Sequence, residues 1–221
     1  MNKKKITILM SALFMVFSFI ACGQVKEDEI ATTRQESSTQ MVENTDSEMT
    51  SEELLDLFIN GSIDAVDSKD LTSTFNITDF NMGSEEWDSY SIGERVDLDN
   101  DGENEQIIRG PYGGIYLDAR NNKVYEFAMG DGNAIKLSYT YYNGEMWIMY
   151  SNGMNAGYEC YHMEKYEGAD NLVAEMSFSA ELVDATNPDS GMKYLLNGEE
   201  ISYDEYTAFC SKIFAAEEST N

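Results

Sequence analysis

Between Val96 and Ile108 the chain runs Asp97-Leu98-Asp99-Asn100-Asp101-Gly102-Glu103-Asn104-Glu105-Gln106-Ile107, crowding carboxylates around one turn ahead of an apolar, strand-like run. Acids packed this closely repel one another unless something neutralises them. Gly102 after three alternating aspartates permits the backbone to turn sharply. A calcium ion takes about six to eight hard oxygens from a loop of this spacing. Asp97, Asp99 and Asp101 fall at positions 1, 3 and 5, Glu103 offers its backbone carbonyl at position 7, and Glu105 stands at position 9. Position 12 is Ile108, where an EF-hand carries a bidentate Glu. The pattern is therefore a shorter DxDxDGxxE loop leading into a strand, with Glu105 completing the site directly or through water. The expectation is weak, structural Ca2+, with a dissociation constant on the order of 10⁻⁴ to 10⁻³ M. The alternative is an acidic Asx-type turn without metal.

The amino terminus reads as an address. Lys3, Lys4 and Lys5 precede an apolar run from Ile6 to Ile20 and a small residue, Ala21, before Cys22, the layout of a secretory signal. The run is short for a membrane span. Phe19-Ile20-Ala21-Cys22 resembles the bacterial lipobox, which implies cleavage before Cys22, diacylation of its thiol and a lipid anchor on the outer face of the cytoplasmic membrane. An ordinary cleaved signal and an uncleaved anchor helix are the alternatives. Residues 22 to 49 are rich in Ser, Thr, Gln and Glu and lack apolar periodicity, so they read as a disordered tether. Its flexible reach is roughly 25 to 30 Å.

Charge narrows the partners. The chain carries 41 acidic and 14 basic residues, a formal net charge of −27. Without the three lysines of residues 1 to 21, 11 basic residues face 41 acidic ones, giving −30. Such a polyanion has no basic patch for phosphates, so nucleic acid is excluded as a routine partner. Anionic headgroups repel it too, leaving the covalent lipids as the membrane contact. Besides Cys22 there are Cys160 and Cys210, in a compartment that permits a disulfide. They either form that bridge or stay reduced as small buried side chains.

Residues 50 to 221 suffice for one domain with a substantial core. Thr50-Ser51-Glu52-Glu53 is a capping box, and Leu54, Leu55, Phe58, Ile59, Ile63 and Val66 follow at helical spacing. Residues 68 to 95 are polar and irregular, with Phe75, Ile77, Phe80 and Trp87 expected to dip into the core. From Val96 the period becomes two. Ile135, Leu137, Tyr139 and Tyr141 alternate with polar residues, Asn143-Gly144 signals a hairpin turn, and 145 to 150 return. Further strands are expected at 104–109, 113–118, 123–129, 157–166 and 171–183, and their short links favour an antiparallel meander. Ser202-Tyr203-Asp204-Glu205 is a second capping box, followed by Tyr206, Phe209, Cys210, Ile213 and Phe214 at helical spacing. The class is α+β: a meander sheet with an amphipathic helix packed on it at each end of the chain.

The loop is similar to those of integrin-type FG-GAP repeats and dockerins. The run from Asp97 through Gly110-Pro111-Tyr112-Gly113-Gly114, Tyr116-Leu117-Asp118-Ala119-Arg120, Leu137-Ser138-Tyr139-Thr140-Tyr141-Tyr142 and Trp147-Ile148, with Asn197-Gly198-Glu199-Glu200-Ile201-Ser202-Tyr203-Asp204-Glu205-Tyr206, resembles uncharacterised lipoproteins of gut Firmicutes. The resemblance implies a cell-surface lipoprotein of a Gram-positive anaerobe and carries no catalytic residues.

Met146, Met149, Met154, Cys160, His162 and Met163 crowd one region, but strand alternation puts Cys160 and His162 on one face and Met163 on the other, which favours core packing over a soft-metal site. His162 is the only histidine, and neither a nucleophile elbow nor a phosphate loop is present. The expected function is a membrane-anchored, calcium-stabilised binding or envelope-interaction module without evident catalysis, its partner an extracellular protein, peptide or glycan. The alternative is an anchored hydrolase that uses a carboxylate acid/base pair.

Overall fold

A computed structural model describes residues 49–83, 85–132, 135–153 and 158–215. The signal segment, Cys22, all but Met49 of the tether, and Met154 lie outside the described residues.

Helix α1 (Ser51–Ile59) begins as the capping box requires. The Thr50 side chain accepts from the Glu53 amide, and the Glu53 carboxylate accepts from the Thr50 amide. It ends at Ile59, so the expected helical spacing runs two turns too far, and Val66 belongs instead to β1 (Ala65–Val66). Strands β2 (Thr74–Phe75), β3 (Ser91–Val96), β4 (Glu105–Arg109), β5 (Ile115–Arg120) and β6 (Lys123–Met129) complete a first six-stranded sheet in the order β2-β1-β6-β5-β4-β3. Only the β1–β6 pairing in this sheet is parallel. A second six-stranded sheet runs in chain order through β7 (Ile135–Tyr142), β8 (Glu145–Asn152), β9 (Tyr158–Tyr166), β10 (Leu172–Leu182), β11 (Met192–Leu196) and β12 (Glu199–Ile201). Helix α2 (Tyr203–Phe214) closes the described chain, with Ser202 as N-cap.

The α+β class stands, with the pairing divided between two sheets. Strand β5 shows how they stack, because both of its faces are buried. Ile115, Leu117 and Ala119 join Leu54, Leu55 and Phe58 of α1 in one core, whereas Tyr116 joins Ile107, Ala128, Leu137 and Ile148 in another, between the sheets. A third core sets Tyr206 and Ile213 of α2 against Trp147, Met149, Met163, Phe178 and Ala180 on the outer face of the second sheet. The layers run helix, sheet, sheet, helix. Arg95 of β3 also pairs with Glu52 and Asp56 on the solvent side of α1.

Cys160 and Cys210 are free thiols, so the possible bridge between them is not formed. Tyr161 and Met163 of β9 face α2, so Cys160 points to the opposite face by alternation, while Cys210 belongs to α2 and packs on its sheet-facing side. Trp87 departs from expectation too. It is 84% exposed, while Phe75, Ile77 and Phe80 do pack against the α1 core.

Candidate metal centre

The loop between β3 and β4 is shaped by its own side chains. Asp97 Oδ2 accepts from the Gly102 amide at 3.2 Å, Asp99 Oδ1 from the Asp101 amide at 3.2 Å, and Asp101 Oδ1 from the Glu103 amide at 2.8 Å. Each aspartate thus spends one oxygen on folding the loop. The second oxygens of Asp97 and Asp99, Oδ1 and Oδ2 respectively, are buried with no hydrogen-bond partner. A buried carboxylate oxygen left without a partner is costly, and native proteins avoid it. Asn100 at φ +62° and Gly102 at φ +93° provide the left-handed turns.

Asp97, Asp99 and Asp101 each bring a carboxylate oxygen within 4.8 Å of the others, and Asp99, Glu105 and Asp118 do the same. The two groups share Asp99, which is fully buried, with Glu105 and Asp118 1% and 6% exposed. Four of the five sequence-derived ligands are therefore brought together. Glu103 commits one carboxylate oxygen to the Ser51 hydroxyl in the first turn of α1, and its carboxylate is not part of either group.

Asp118 is the member that the linear motif missed. It follows Leu117, the register partner of Gln106, so the next antiparallel pair along is Glu105 with Asp118. Alternation along β5 also sets it on the face of Tyr116, between the sheets. The readable signal was the short connection between strands 104–109 and 113–118, which fixes that register.

Electrostatics show what the cluster lacks. Burial, reinforced by Asp101, pushes Asp99 up to about 7. Burial and then the Asp99 charge push Glu105 up to about 9, against the opposing Leu98 amide. Asp118 is also raised, chiefly by burial, although Arg120 pulls it back down. Arg120 is the basic side chain at the rim. It pairs with Asp118, holds both Asp170 oxygens at 2.5 and 3.0 Å, and lies 4.3 Å from the Tyr125 ring centroid. One guanidinium shared with Asp170 does not neutralise the inner carboxylates. Beside it lies a cleft of about 230 Å3 lined by Asp101, Glu103, Asp118 and Glu167 among others, an approach from solvent.

The loop is also fastened to the second sheet. The Asn100 amide donates to the Met146 carbonyl at 3.1 Å and to the Tyr166 carbonyl at 3.0 Å, and its oxygen accepts from the Met146 amide at 2.8 Å. The Gly168 amide donates to the Asp99 carbonyl at 3.0 Å. The acidic turn thus belongs to the first sheet by sequence and to both by bonding.

Among the described residues the soft-metal grouping is not assembled. Met149 and Met163 are packed under α2, whereas Met146 lies between the sheets. Comparison with protein-family models, curated proteins and solved structures finds no match.

Proposed function

We propose that this protein is an extracytoplasmic, lipid-anchored binding module whose two sheets are held together by calcium at Asp97, Asp99, Asp101, Glu105 and Asp118, with the Glu103 carbonyl as a further ligand. The observation that carries the ion is the pair of buried, unpartnered oxygens, Asp97 Oδ1 and Asp99 Oδ2, beside two further buried acids. All the donors are hard oxygens, which selects calcium over soft transition ions. Magnesium demands a tighter octahedron and gives up its waters reluctantly, so it fits a cluster built on buried carboxylates less well.

The binding reading is supported by a cleft of about 530 Å3 lined by Phe80, Trp87, Tyr90 and Tyr112 together with Asp79, Asn81 and Asp88. An exposed Trp87 beside hydrogen-bonding side chains suits a glycan or peptide, since aromatic rings offer apolar area at little entropic cost. Tyr112 holds a left-handed φ of +56°, the kind of local strain that clusters at ligand sites. Asp79 caps its own turn, accepting from the Asn76 amide at 2.7 Å, and Asp88 accepts from Asn81 at 3.4 Å. Both carboxylates are engaged in local structure, which favours a binding role for the cleft over the hydrolase alternative. Anchoring rests on Cys22 and the lipobox-like residues before it.

Calorimetric titration of calcium into the chelator-treated chain tests the ion, with magnesium as control and the Asp99→Ala, Asp101→Ala double variant alongside. Calcium-selective heat that the variant abolishes, with a rise in melting temperature, is the expected result. No heat at millimolar calcium would reduce the loop to an acidic turn. For the anchor, Cys22→Ser should release the protein from the membrane fraction and abolish fatty-acid labelling.

A further inference from the structure

The geometry points to a second, chemically different cation site, formed by His162, Glu164 and Glu175 on the second sheet and suited to a borderline transition ion such as zinc. It shares no residue with the acidic loop. His162 and Glu164 lie two apart on β9, and Glu175 on β10 is the register partner of Glu164, so all three project from one face. His162 Nε2 is 3.1 Å from Glu164 Oε1 and 3.5 Å from Glu175 Oε1. Donor atoms about 2.0–2.1 Å from a tetrahedral zinc stand about 3.4 Å from one another. The separations observed at the histidine are those a tetrahedral ion would impose.

Three further observations favour an ion over a bare ion pair. First, like charges directly opposite one another across a ladder are destabilising. Among the described residues no lysine or arginine pairs with Glu164 or Glu175, and both pair with His162 alone. Second, the outer groups are already positioned. The Tyr166 hydroxyl donates to Glu164 Oε2 at 2.7 Å, leaving Oε1 toward the histidine, and the His162 ring stacks on Tyr150 with centroids 6.4 Å apart. Such partners orient ligands at metal sites. Third, a cleft of about 330 Å3 opens over His162 and Glu175, edged by Ser177 and Asn197. An ion on three protein ligands would keep its fourth position toward this cleft for water or an anionic ligand, as open zinc sites do. An imidazole with two carboxylates suits zinc, cobalt or nickel better than calcium or copper(I).

The test titrates zinc into the full chain with calcium present in large excess, so that the acidic loop does not compete, and repeats the titration with cobalt(II) monitored by visible absorption. One zinc per chain and the intense bands of tetrahedral cobalt are expected. His162→Ala and Glu175→Gln should each weaken zinc binding at least tenfold. Glu175 is largely exposed, so its variant keeps the test decisive should His162→Ala fold poorly. Zinc bound equally well by both variants, or no zinc bound at all, would overturn the site and leave the trio as a histidine-centred ion pair.

Discussion

Asp99 is where the two acidic groups meet, and its charge acts on that of Glu105. Burial raises Asp99 to about 7 and Glu105 to about 9, so in the chelated protein the folded state holds protons that the unfolded chain releases above its ordinary carboxylate range. Stability falls with pH wherever the folded state binds more protons. The chelated protein should therefore melt highest near pH 5 and lose stability progressively toward pH 9, as thermal melts across that range in the presence of a chelator will show. Saturating calcium should flatten or reverse the slope, because the ion holds the carboxylates ionised. Glu105→Gln follows from the same reasoning. The amide resembles the protonated acid that predominates without metal at neutral pH, so chelated stability should change little, while calcium affinity falls at least tenfold, about 1.4 kcal/mol. Titration and melting of the one variant separate the two effects. In the sequence, Asp97, Asp99, Asp101 and Glu105 were legible because the motif is local. Asp118 was not, since it joins them only through the pairing of β4 with β5.

At the scale of elements, the ends of the chain were the most readable. Both helices begin at capping boxes that the structure reproduces, and the apolar positions of α2 from Tyr206 to Phe214 pack where their spacing placed them. The Asn143-Gly144 hairpin pairs Ile135 through Tyr142 with Asn152 through Glu145 in one unbroken register. Strands β1 and β2 were illegible for a physical reason. Each has two residues, too few to show alternation, and β1 exists because β6 and β2 supply its partners. The connection between β3 and β4 gives this scale its prediction. Asn100→Ala removes three hydrogen bonds to β8 and β9 and strands the Met146 amide. A cost of about 1–3 kcal/mol in denaturant unfolding is expected, with weaker calcium binding. A harsher case is Gly113→Ala, since a Cβ there would meet the Leu137 carbonyl oxygen at 1.9 Å, inside the contact between the β4–β5 turn and β7. A loss of about 3 kcal/mol or more should appear as a lowered denaturant midpoint.

For the molecule as a whole, the acidic loop stands where the two sheets are joined, so calcium should stabilise the entire α+β unit. Hydrogen exchange with and without calcium tests this: protection should rise at 97–105 and also at Met146 and Gly168, across the sheet boundary. The thiols offer an independent check on the layering. Cys160 and Cys210 lie on opposite faces of the second sheet, so reductant should leave the melting temperature unchanged, and thiol titration of the denatured chain should find both reduced. What the sequence determined alone was whatever depends on near neighbours: the helix caps, the period-two strands, the hairpin turn and the alternating aspartates, because hydrogen bonding and side-chain alternation act within a few residues. Only the tertiary structure decided the division into two sheets, the burial of Asp118 beside Glu105, and the meeting of His162 with Glu175. Those depend on register between strands separated in the chain and on which faces the layers cover, and a local pattern carries no information about either.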